Sequence, residues 1–296
     1  MDTPLFLFQP LLWSVGFAIG TIMLKRAIES GLGPLRIAFL NNMLVAVLFL
    51  PGLLSVPKTL TWSMLEWPLI CSLIYALGQL CFFLAMRLGD VTVLAPAMGI
   101  KVVFVALFTA VMVGAVAMPW TMWMAALLAT LAVFLLSISQ WHDRKRLAQT
   151  AFLAVMSAGL YGLNDVMLQI HGSVLGAIPF SAVMFSAVAV ESLVMIPFFR
   201  GSFRSVPPVA MRWGLAGAVI CGAQSGGMAY TIAQHGAATA VNIVYSTRGL
   251  WSVILVWAAS SWFGVREGSV GNAVMGRRLV GGLLLLCAVG LVLASK

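Results

Sequence analysis

The chain has 296 residues, of which 62% are hydrophobic and only 8% charged, with a formal net charge of +9. A water-soluble domain of that length needs far more charge on its surface, so the balance excludes one. The basic residues are dispersed over short loops, as at the cytoplasmic face of a membrane, which argues against a nucleic-acid partner.

Apolar runs long enough to cross a bilayer's hydrocarbon core recur from end to end. They predict ten spans, at about 5–24, 34–55, 67–87, 91–113, 119–140, 149–170, 177–199, 213–234, 238–262 and 277–295. The loops between them are too short to fold alone. Met1-Asp2-Thr3-Pro4 lacks the basic start of a signal peptide, so the first span is expected to stay in the mature protein. Cys71, Cys81, Cys221 and Cys287 all fall within spans and read as small buried hydrophobes. Asn41-Asn42 in the second span read equally as helix–helix glue or as site residues, and Gly222-x-x-x-Gly226 in the eighth as close helix packing.

Two halves, 1–146 and 147–296, each hold five spans. An odd number per half forces the second to insert upside down. The expected fold class is therefore an all-α membrane protein with ten transmembrane helices in a 5+5 inverted-topology repeat. His142-Asp143-Arg144-Lys145-Arg146 connects the halves. The loops on its side carry thirteen Lys and Arg, whereas the opposite side, with both termini, holds only Lys58 and Lys296. That bias predicts a cytoplasmic connector and extracytoplasmic termini in a multi-pass protein of the cell inner (plasma) membrane.

The two remaining cations lie inside spans. Lys101 follows Gly89-x-x-Thr92 after eight residues, and Arg248 follows Gly236-x-x-Thr239 after the same eight. A cation near the bilayer midplane costs several kcal/mol, so a matched pair points to a central site for something negatively charged. Asn242, Tyr245, Arg248 and Ser252 recur at helical spacing and form one polar stripe. In it Arg248 is placed to grip a carboxylate or phosphate, with Tyr245 and Asn242 completing the hydrogen bonds. Similar stripes run through Ser72, Tyr75 and Gln79, through Ser157, Tyr161, Asn164 and Asp165, and through Gln224 and Thr231. Glu191 and Asp165 are the intramembrane acids. They could neutralise the two cations in a structural network, or one of them, unpaired in one state, could carry a proton.

Several segments resemble the drug/metabolite transporter superfamily, and within it the EamA-like group of ten-helix proteins. They are Trp13, the run Ala229-Tyr230-x-x-Ala233-x-x-Gly236-Ala237-Ala238, its counterpart Phe83-x-Ala85-x-x-Leu88-Gly89 with Pro96 beyond it, and the Gly-rich tail from Gly281-Gly282-Leu283 to Gly290. The family's frequent Gly-Glu pair is absent after the fourth and ninth spans, where Gly114 precedes Ala115 and Gly264 is separated from Glu267. The resemblance implies a central cavity walled by spans one, three, four, six, eight and nine.

The function expected on these grounds is secondary transport of a small anionic or zwitterionic metabolite by alternating access. The expected substrate-binding residues are Lys101, Arg248, Tyr75, Gln79, Tyr161, Asn164, Asn242 and Tyr245, with Glu191 and Asp165 as proton-coupling candidates. No P-loop pattern occurs, so ATP drive is not expected. A flippase that grips a lipid-carrier phosphate is the alternative. An intramembrane enzyme fits less well, because His142, His171 and His235 sit at span ends and form no nucleophile–base or metal cluster. No cofactor or metal is expected. The partners are the metabolite and the lipid bilayer, with the chain a monomer or homodimer.

Overall fold

The computed structural model describes residues 5–88, 98–114, 116, 118–137, 144–199, 201–252, 254–255 and 272–294. Gly89, Thr92, Pro96, Gly264, Glu267 and Lys296, all named above, lie outside them. Among the described residues the regular structure is helical, with no strand. The helices are α1 (Phe8–Glu29), α2 (Pro34–Phe49), α3 (Trp62–Leu88), α4 (Lys101–Met112), α5 (Trp120–Ser137), α6 (Arg144–His171), α7 (Ala177–Ser192), α8 (Pro208–His235), α9 (Ala238–Tyr245) and α10 (Asn272–Ala294).

Among the described residues, five segments are long and apolar enough to cross a membrane: Leu5–Glu29, Pro34–Ser55, Trp62–Leu88, Ala148–His171 and Ala177–Phe198. Lys101–Met112, Trp120–Leu135 and Val280–Ala294 are shorter apolar helices. Large apolar side chains such as Leu54, Val111, Phe152 and Val194 stand exposed, as surfaces in contact with acyl chains require. Cys287 joins them on α10, whereas Cys71 and Cys221 are buried as expected.

α2 and α7 each finish in a 3-10 segment, Leu50–Ser55 and Leu193–Phe198. Each segment contains a proline, Pro51 or Pro197, which has no N–H to continue the α-helical ladder.

Packing follows the small residues. α1 lies closely on α8, where a side chain at Gly20 would strike Cys221 and one at Gly217 would press on Leu24. α2 lies on the same helix, with Gly222 against the Val45 backbone and Gly226 against the Phe49 ring. α3 packs along α6, and Ser157 donates to the Gly78 carbonyl at 2.7 Å. α5 and α10 form a third close pair. Phe180, Phe185 and Ile232 are fully buried where these layers meet.

At one end of the bundle the helix termini are pressed together. A Cβ at Gly172, just after α6, would lie 2.5 Å from that of Ala233 on α8. Trp67 stacks on His171 with centroids 3.6 Å apart, and Phe6 stacks on His235 at 4.5 Å. Among the described residues α1 and α3 share no comparable interface.

Candidate functional site

The chain path places both cations just after helix breaks. Gly236 ends α8 in the left-handed conformation at φ 59°, which glycine adopts without a Cβ clash. α9 then starts with its Ala238 N–H donating to Gln169 Oε1 on α6 at 2.8 Å, because neither Ala237 nor Ala238 has a side chain that can cap it. It lasts only eight residues before a turn at Ser246 and Thr247, and helical residues resume at Arg248. The Thr247 hydroxyl is held 2.9 Å from that of Ser14 on α1. In the other half, Ile100 forms a turn after helical Met98 and Gly99, and Lys101 begins α4. Thr130 on α5 donates to the Gly99 carbonyl at 3.3 Å. Periodicity alone makes Lys101 and Arg248 mid-helix residues; the structure puts each at a restart. The turn at Ser246 and Thr247 divides the expected stripe: Asn242 before it donates to Asp165 on α6, and Ser252 beyond it donates to the Arg248 carbonyl.

Lys101 and Arg248 enter one cavity of about 90 Å3, several times the space one water needs. Tyr75, Tyr161, Asn164, Asp165, Gln224 and Tyr245 share its wall. Lys101 and Asp165 are both buried and form an ion pair, Nζ to Oδ2 at 2.7 Å. Asn242 Nδ2 donates to the same oxygen at 2.7 Å. Lys101 Nζ also lies 5.7 Å and 5.9 Å from the ring centres of Tyr161 and Tyr245. Arg248 is held differently. Its guanidinium lies 4.8 Å from the Phe17 ring centre and 4.6 Å from that of Tyr245, close enough for cation–π attraction. No carboxylate among the described residues pairs with it. The Tyr245 hydroxyl donates to Gln224 Oε1 at 2.7 Å, which fixes the ring over the arginine.

The expected residues do not all reach the cavity. Gln79 is buried behind its wall, with Oε1 lacking a partner among the described residues. Asn242 is likewise buried and acts on the cavity through Asp165. Glu191 pairs with neither cation; it accepts a short hydrogen bond from Ser72 on α3 instead. Thr231 serves α1, accepting from Trp13 Nε1 at 3.3 Å and donating to Gln9 at 2.9 Å.

Other wall residues went unread in the sequence. Phe17, Met184 and Phe185 line the cavity, so α7 joins the six helices that the family resemblance implied. In an apolar helix, phenylalanine and methionine carry no signal that separates a cavity wall from core.

No family model and no curated protein matches this chain. A solved protein crystal structure does share its fold, with a TM-score of 0.73 at 15% identity, over 98% of this chain and 95% of that one. At that identity the likeness extends to the fold alone, and it takes in nearly the whole of both chains.

Proposed function

We propose that this chain is a ten-helix secondary transporter of the drug/metabolite type, carrying a small anionic or zwitterionic metabolite across the membrane by alternating access between halves 1–146 and 147–296. A pattern of exchanged contacts supports the inverted repeat. If α1–α5 correspond to α6–α10, the α1–α8 contact becomes α6–α3, and α2–α8 becomes α7–α3; both members of each pair are extensive. The pairs α5–α10 and α2–α7 map onto themselves, and both are packed. The 3-10 endings of α2 and α7 and the turns before Lys101 and Arg248 correspond as well.

The observation that carries the reading is Arg248. It brings a full charge to a cavity inside the bundle, covered by two aromatic faces and without a carboxylate among the described residues. Such a charge is costly unless something matches it, and a ligand carboxylate, phosphate or sulfonate would do so through the guanidinium's paired N–H groups. The test is a thermal-shift screen of purified protein against metabolite anions and neutral analogues. A true ligand at a hundred times its Kd stabilises by about 2.7 kcal/mol. At least one anion should stabilise wild type and lose that effect in a folded Arg248→Gln variant. Stabilisation by neutral or cationic compounds alone would refute the anion site.

A further inference from the structure

This inference rests on the anion reading above and concerns what sets the anion's charge. The cavity's described charged residues are Lys101, Arg248 and Asp165, two positive and one negative, which leaves a surplus of one positive charge. Asp165 Oδ2 sits 2.7 Å from Lys101 Nζ and 2.7 Å from Asn242 Nδ2. A monoanion can settle on Arg248 and bring the cavity to neutrality while Lys101 keeps its carboxylate. A dianion can draw on both cations only by competing with Asp165 for Lys101. That would leave a buried carboxylate with a neutral amide as its remaining partner and a net negative charge in the bundle, an arrangement a proton relieves.

Asp165 is placed to take that proton. It lines the cavity, so water there can deliver it. The titratable or charged groups facing it are Lys101 from α4, Cys71 and Tyr75 from α3, Tyr161 on α6 itself, and Tyr245 and Arg248 at and beyond the end of α9. α7 and α8 contribute Met184, Phe185, Gln224 and Ser225 to the wall, none of which changes charge near neutral pH. No other carboxyl lines the cavity among the described residues.

We infer that Asp165 is a displaceable counter-ion that sets the substrate's charge: monoanions bind without a proton, and dianions bind together with one proton taken up at Asp165. The proton passes from water to a carboxylate oxygen as the Lys101 ammonium turns to the ligand. That O–H bond is the only covalent bond formed.

Sulfate and methanesulfonate make the probe pair, since they share a tetrahedral sulfur head, differ by one charge and do not titrate near neutral pH. Wild-type protein in weakly buffered detergent is titrated with each anion while an electrode follows pH. Sulfate should bring in about one proton per site, and wherever it does so its affinity should fall about tenfold for each unit that the pH is raised. Methanesulfonate should bind with no proton and a flat pH profile. Asp165→Asn should bind sulfate with no proton uptake. Lys101→Gln should weaken sulfate far more than methanesulfonate. If sulfate binds wild type without a proton, or both anions take up the same number, the role of Asp165 is overturned and the anion site stands. If neither anion binds wild type, the anion reading itself fails. Should Asp165→Asn not fold, the wild-type stoichiometry decides alone.

Discussion

Lys101 and Arg248 carry like charges into one cavity, yet only Lys101 has a carboxylate beside it, Asp165 at 2.7 Å. Arg248 has rings instead, Phe17 at 4.8 Å and Tyr245 at 4.6 Å. Aromatic faces attract a cation without cancelling its charge, so the two positions differ in what they offer a ligand. In this structure Lys101 is matched by a carboxylate of the protein, and Arg248 is not matched by one among the described residues.

The ion pair should dominate the stability of the central layer. Removing one partner from a buried pair costs about 3–5 kcal/mol, because the other is left uncompensated. Lys101→Met should therefore unfold at much lower temperature in detergent than wild type. The double variant Lys101→Met with Asp165→Leu should recover most of the loss. If the single variant unfolds like wild type, water already screens the pair.

Close packing of α1 and α2 on α8 gives a second prediction. A side chain at Gly227 would overlap the Trp13 ring, and one at Gly226 the Phe49 ring. Overpacking of this kind typically costs about 1–3 kcal/mol. Gly227→Val and Gly226→Val should each lower the unfolding temperature, while Gly290→Val, with no neighbour within 4 Å of its Cβ position, should not. Differential scanning fluorimetry in one detergent compares all three directly.

The loop charges predict an orientation that a reporter fusion can test. A phosphatase fused after Lys296 should be active and a GFP there dark, placing the C-terminus outside the cytoplasm. Bright GFP with silent phosphatase would reverse the topology.

The two cations were legible in the sequence because a charge inside an apolar run is too costly to be incidental, and these two fall at matched places. Helical spacing also brought out Tyr75, Tyr161, Asn164 and Tyr245, which do reach the cavity wall. Pairing was not legible. Lys101 could have met Glu191 or Asp165, and the choice depends on how α3, α4, α6 and α7 cross, which spacing within one helix cannot encode. The break at Ser246 and Thr247 was hidden too, since neither residue is a strong helix breaker and the turn is held by tertiary contacts such as Ser14 to Thr247. Phe17 escaped notice because its task, covering a guanidinium, requires only an ordinary apolar ring.

Gly172 has a consequence for direction. Its lack of a side chain lets the end of α6 close on Ala233 of α8, whereas among the described residues α1 and α3 share no comparable interface. On the alternating-access reading proposed above, that closure would act as a shut door, and the door would hang on a single missing methyl. Gly172→Leu should wedge it open. With the four native cysteines replaced, an Ala229→Cys probe in the cavity wall should then react with a membrane-impermeant maleimide added outside cells, and should be shielded when Gly172 is kept. Equal labelling in both backgrounds would mean that the seal lies elsewhere. If the wedge works, access to the cavity becomes something one residue can set, and each face of the membrane can be given the site in turn.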